Sequence, residues 1–142
     1  MGSKYLSMFS SKLIHNAIIT AACDKKSELF ETVNCDFLTT DFGDLCKRDM
    51  PKNIIIATDS VLHFEHAKKA IEAQKNVIIE KPITMRSSDA LTLDKLAKKH
   101  NVSIFPVLQH RHNPVIQGLK KIVDTRKIGN PNARDFYTYG KR

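Results

Sequence analysis

Asn76-Val77-Ile78-Ile79-Glu80-Lys81-Pro82 decides how the rest of the chain is read. Its apolar run is too short for a helix, and Val-Ile-Ile is β-branched, so it reads as a strand buried on both faces. Pro82 lacks the N–H that a ladder needs and cannot extend a central strand. Glu80 and Lys81 therefore fall at the carboxyl edge of the strand, which is where open α/β sheets bind ligands. A lysine held there, partly out of water, is placed to donate to a substrate oxygen. The plainer alternative is a strand-end salt bridge followed by a turn proline.

Working outward, other apolar runs share this character. Asn53 to Ala57 is a second fully apolar strand, followed by the polar turn Thr58-Asp59-Ser60 and a helix over Val61 to Gln74. Ser87 or Ser88 is read as the cap of a helix reaching about His100, and Val102 to Leu108 as another strand. Asn113-Pro114 opens a helix to about Arg126, stopped by Lys127-Ile128-Gly129-Asn130-Pro131. Upstream, Lys4 to Ile14 has helical spacing, and Ala17 to Cys23 reads as a buried strand ending at Asp24. Asp24 either holds a ribose at the strand tip or caps a helix over Lys25 to Thr32. Phe37-Leu38 is a short strand, and Asp41 to Arg48 a short helix capped by Thr40 or Asp41. Ala133 to Tyr139 alternates like a strand with one wet face. Strand and helix thus alternate with short connections, the pattern of a doubly wound parallel sheet.

The totals narrow the class. A chain of 142 residues, 42% hydrophobic and 27% charged, suits a globular domain, and no apolar run approaches membrane-spanning length. Cys23, Cys35 and Cys46 show no CxxC spacing, which suits free thiols in a reducing, cytoplasmic compartment. The net charge of +8 raises an anion- or nucleic-acid-binding module as one reading. Its lysines, however, come as pairs such as Lys68-Lys69 and Lys98-Lys99 among acids, which suits solvated helix faces.

With this layout, Ala57-Thr58, His63 and Glu80-Lys81-Pro82 together resemble the glucose–fructose oxidoreductase/inositol dehydrogenase (Gfo/Idh/MocA) family. The resemblance implies an NAD(P)-dependent enzyme oxidising a hydroxyl of a sugar or nucleotide-sugar, with NAD slightly favoured over NADP. By it, Asp24 holds the adenosine ribose, and Thr58, His63, Glu80, Lys81 and Gln109 line the cofactor. Lys81 also touches the substrate hydroxyl that loses its proton, as the catalytic residue. Arg111 and Asn113, in Gln109-His110-Arg111-His112-Asn113-Pro114, fall on the substrate side. That segment is similar to one in dehydrogenases acting on UDP-linked amino-sugar uronates. The expected division is a partial dinucleotide-binding domain over 1–127 and the start of a substrate domain over 128–142.

The departures are specific. The five glycines, Gly2, Gly43, Gly118, Gly129 and Gly140, form no GxG, so the phosphate-binding turn that opens such folds is missing. Asp59 stands where the family has proline. The expected fold is therefore an incomplete doubly wound, Rossmann-like sheet lacking its first strand, plus the first strand of a second α/β domain. That first strand belongs between Ala17–Cys23 and Asn53–Ala57. Without it, those two strands pair with each other, accept a strand from a homo-oligomer or partner chain, or leave the domain marginally folded. A non-catalytic binding or regulatory remnant is the competing function. His63 and His66, one turn apart, permit a metal pair but bring no third ligand, so no metal is expected.

Overall fold

The computed structural model describes residues 2–11, 14–49 and 51–129. It divides the chain into two compact units, Met1–Val107 and Leu108–Arg142. The expected strand Ala133 to Tyr139, and most of the segment 128–142, lie outside the described residues.

The first unit alternates strand and helix: α1 (Gly2–Ser10), β1 (Ala21–Cys23), β2 (Phe37–Thr39), α2 (Phe42–Lys47), β3 (Asn53–Ile56), α3 (His63–Glu72), β4 (Asn76–Ile79), α4 (Ser87–His100) and β5 (Ile104–Pro106). All the strand pairs are parallel. The strands form two sheets, β1-β2 and β3-β4-β5. Among the described residues no ladder joins β1 to β3, so the two strands expected to flank the absent one do not pair with each other.

The deciding stretch folds as read. β4 takes a partner on each side, Ile56 facing Ile79 in one register and Pro106 facing Ile79 in the other. Val77 and Ile79 are fully buried. Pro106 is tolerated because β5 is an edge strand among the described residues. The core joins alternate residues of β3 and β4 to Ala67, Ala70 and Ile71 of α3 and to Leu93 and Ala97 of α4. α4 ends at Asn101, whose left-handed φ of 55° is a conformation that asparagine tolerates.

Several expected elements are shorter. The strand expected over Ala17 to Cys23 covers only Ala21–Cys23, and Ile18 is 83% exposed. An apolar run forms strand only where a neighbouring strand accepts its backbone, and β2 accepts three residues here. The helix expected over Lys25 to Thr32 is a 3-10 turn, Ser27–Thr32. The helix expected from Val61 begins as a 3-10 turn, Ser60–Leu62, before α3. α4 has Arg86 at its cap position and no side-chain cap bond, so neither Ser87 nor Ser88 caps it. Asp41 does cap α2, its Oδ1 accepting from the Gly43 N–H at 2.7 Å. The strand expected over Val102 to Leu108 is trimmed to β5.

In the second unit a 3-10 turn, Gln109–His112, leads into α5 (Pro114–Asp124). Pro114 occupies the first turn, and Asn113 caps the helix by accepting from the Val115 N–H at 2.9 Å.

Candidate active site at the carboxyl edge of the sheet

β3 and β4 are parallel and in register, so their following loops emerge at the same edge. The first loop brings Thr58, and the second brings Glu80, Lys81 and Pro82. The Glu80 N–H donates to the Ile56 carbonyl at 3.0 Å, extending the ladder by one residue and fixing where its side chain starts.

Glu80 is 7% exposed, and a buried carboxylate needs donors. It has two: the Tyr5 hydroxyl donates to Oε1 at 2.6 Å, and the Lys81 N–H donates to Oε2 at 3.2 Å. Tyr5 thereby ties α1 to the strand end. Its phenol is pushed up to about 12, by burial first and then by bonding to Glu80 and by the carboxylate's charge. Lys81 is exposed rather than partly desolvated, and its ammonium is free to reach a ligand from the sheet edge.

His63, the first residue of α3, is 1% exposed. Its Nδ1 lies 2.7 Å from the Pro82 carbonyl oxygen, and its Nε2 lies 3.0 Å from that of Thr58. One turn on, the Phe42 ring stacks on His66 with centroids 4.4 Å apart. His66 Nδ1 lies 3.2 Å from the Thr58 hydroxyl. The His66 pKa is lowered, by burial first and then by Lys69 and His63, which favours the neutral ring that can accept that hydroxyl. His63 and His66 are thus bonded to loop groups, and no cluster of three metal-ligating side chains exists among the described residues.

Asp24 stands at the tip of β1, where its N–H donates to the Thr39 carbonyl at 3.2 Å. It does not cap the following turn. Its Oδ1 accepts from the Lys26 N–H at 2.9 Å, and the exposed carboxylate keeps Oδ2 for another donor. The preceding Cys23 thiol is pushed up to about 11 by burial, then by Asp24 and Asp41, marking this strand tip as electronegative.

The structure thus gathers Thr58, His63, Glu80 and Lys81 at one edge, with Asp24 at the end of the neighbouring sheet. Gln109, Arg111 and Asn113 belong to the second unit. There all three are exposed, and the Arg111 carbonyl accepts from the Gln117 side chain at 3.2 Å. Tyr5 lies in the Lys4 to Ile14 stretch, whose helical spacing gives no sign of a bond to Glu80. The only available signal was that a tyrosine among buried positions brings a hydroxyl in need of a partner.

Comparison with known proteins agrees with this geometry. Residues 1–107 match the family model described as an oxidoreductase family with an NAD-binding Rossmann fold. The oxidoreductase YhhX of Escherichia coli, itself uncharacterised, is 33% identical over 91 residues, which are 64% of this chain and 26% of YhhX. A scyllo-inositol 2-dehydrogenase (NADP(+)), IolW of Bacillus subtilis, is 29% identical over 80 residues, covering 56% of this chain and 22% of its own. The WlbA dehydrogenase of Bordetella pertussis, solved with NADH and UDP-GlcNAcA, superposes with a TM-score of 0.81 at 22% identity, over 90% of this chain and 38% of WlbA. The chain therefore spans well under half the length of these relatives. With its parallel sheets and strand-end Glu-Lys-Pro within the matched stretch, the chain belongs to the Gfo/Idh/MocA oxidoreductase family, in the part that forms the NAD-binding Rossmann fold.

Proposed function

We propose that this chain supplies the cofactor-binding part of an NAD(P)-dependent oxidoreductase acting on a hydroxyl of a sugar or nucleotide-sugar. The observation that carries the reading is the exposed Lys81 beside the buried, doubly bonded Glu80 at the carboxyl end of a central strand. Both ends of the fold offer groups that suit the cofactor. Asp24 keeps Oδ2 available for ribose hydroxyls, and Thr58 and Lys81 edge the β3 and β4 loops. When bound, nicotinamide supplies the acceptor for the hydride that leaves the substrate carbon. Lys81 steadies the substrate hydroxyl, because an ammonium donates to an oxygen that is losing its proton. Glu80 holds the Lys81 backbone through the 3.2 Å bond, and His63 completes the loop. On this reading Gln109 contacts cofactor, and Arg111 and Asn113 contact substrate, with Arg111 able to fork onto a carboxylate or phosphate. A UDP-linked amino-sugar uronate is the narrower substrate class, and the WlbA complex is what supports it. Asp24 favours NAD, while Lys25-Lys26 beside it tolerate a 2′-phosphate. Residues 1–127 would then serve the cofactor and 128–142 would open the substrate domain, in a reducing, cytoplasmic setting that suits three free cysteines.

A second reading, a binding or regulatory remnant without turnover, is favoured by Asp59, a carboxylate in the loop after β3, near where an anionic cofactor would lie. Thermal unfolding with and without NAD(H) and NADP(H) tests both. A ligand that binds only the folded state adds about 2.7 kcal/mol at a hundred times its Kd. A cofactor-dependent rise with substrate oxidation abolished in Lys81→Ala is expected of the enzyme. A rise without turnover supports the remnant, and a cooperative transition with no rise with either cofactor overturns the enzyme and leaves a folded remnant.

A further inference from the structure

We infer that His63 is the positioning residue of this site, a buried tie that sets the separation of the two loops carrying Thr58 and Lys81. The identity of what those loops hold rests on the proposed function; the tie itself does not. Three observations carry it. The ring is 1% exposed, so it reaches no ligand directly. Its two nitrogens face main-chain oxygens and no side chain, Nδ1 with Pro82 at 2.7 Å and Nε2 with Thr58 at 3.0 Å. Those oxygens belong to different loops, one following β3 and the other following β4.

A carbonyl only accepts, so the ring can serve these loops only as a donor. Imidazole sets its two nitrogens on opposite edges of a rigid plane; each donates only when it carries a proton, and both donate together only in the imidazolium. The bonds also bracket the functional residues. Thr58 contributes its own carbonyl, and Pro82 immediately follows Lys81. A change in the ring therefore moves both loops without touching what they bind. Displacements of about 1 Å at such a site cost up to about a hundredfold in ligand-dependent steps. The tie is anchored, because α3 packs through the fully buried Ala67, Ala70 and Ile71 into the core under both strands.

The test compares His63→Phe, which keeps an aromatic ring and removes both ring nitrogens, with His63→Gln, which keeps one donating amide. Binding of NADH is measured beside binding of AMP, which carries only the adenosine end. Positioning predicts that His63→Phe weakens NADH by about tenfold or more, leaves AMP within about twofold, and is partly rescued in His63→Gln. A general loss of structure would instead weaken both ligands together, and an unchanged NADH affinity would overturn the tie. Backbone amide shifts supply a readout free of any cofactor. Changes in His63→Gln should reach both Thr58–Ser60 and Lys81–Ile83. Changes confined to α3 would sink the inference even in a protein that binds neither ligand. Wild-type chain that binds neither, with both loops shifting in the variant, would reject the cofactor reading and keep the tie.

Discussion

β4 has a parallel partner on each side and β1 has one, and the two halves of the first unit differ accordingly. Among the described residues, nine of the ten buried apolar ones, all except Leu45, come from β3, β4, α3 and α4. β1 and β2 contribute none, although Ala21, Cys23 and Phe37 pack against that core. Both halves are built from short apolar strands, so residue type does not account for the contrast. A strand is buried on both faces only when neighbours complete its ladder and helices cover the sheet. The site divides along the same line. Thr58, Glu80 and Lys81 stand on the fully packed half, where the proposed chemistry takes place. Asp24, proposed for the adenosine end, stands on the half with one short ladder.

The largest test of this contrast is a pair of truncations. Ile79→Ala removes a fully buried side chain from β4 and should cost about 2–5 kcal/mol in urea unfolding. Leu38→Ala removes one that is 36% exposed on β2 and should cost under about 1 kcal/mol. Equal losses would show that the two-stranded half is packed as firmly as the other, and would break the comparison.

A smaller effect concerns what joins the halves. Lys75, 5% exposed before β4, donates to the Arg48 carbonyl and to the Asp49 carbonyl at 3.0 Å, just beyond α2. α2 packs on β1 and β2 and also on α3. Lys75→Met keeps the stem and removes the donors, leaving two carbonyls short of partners. A loss of about 2 kcal/mol is expected, together with faster amide exchange in β1 and β2 than in β4. Unchanged exchange in β1 and β2 would mean that the smaller half is held by packing alone.

These tests also mark what the sequence made legible. β4 and its Glu-Lys-Pro ending were readable because a β-branched run closed by proline has one physical solution. β1 was overread, since continuous apolarity signals burial but says nothing of whether a neighbour exists to provide it, and Ile18 is left in solvent. The Tyr5–Glu80 bond spans 75 residues and has no local signature. His63 could be read as lying near a cofactor, but its real partners are backbone carbonyls, which every residue has and no motif displays.

Tyr5→Phe sharpens the contrast at the site itself. It should cost about 1 kcal/mol at neutral pH by leaving Glu80 with the Lys81 N–H as its one remaining donor. The pH dependence has a definite sign. Tyr5 is raised from 10.0 to about 12 in the folded chain, so its contribution is complete below pH 10 and is lost as pH rises through about 12. Cys23, raised to about 11, titrates in the same window, so the informative quantity is the difference in unfolding midpoint between wild type and Tyr5→Phe. That difference should shrink between pH 10 and 12. A constant difference would show that the phenol acts through packing and not through its proton.

The smallest expected effect asks whether burial alone makes the packed half firm. Asp94 and Lys98 pair at 2.6 Å on α4, one turn apart and both well exposed. Such a pair competes with water, is screened by salt and must order two long side chains, so Asp94→Ala should cost under about 0.5 kcal/mol. α4 presses Leu93 and Ala97 into the core from the adjoining face, about 100° around the helix from the pair, and those burials are complete without it. A loss above about 1 kcal/mol that fades in 1 M salt would mean that surface charge carries part of the firmness assigned to burial. The contrast between the halves would then owe something to where the lysines fall, and not only to how many strands each ladder holds.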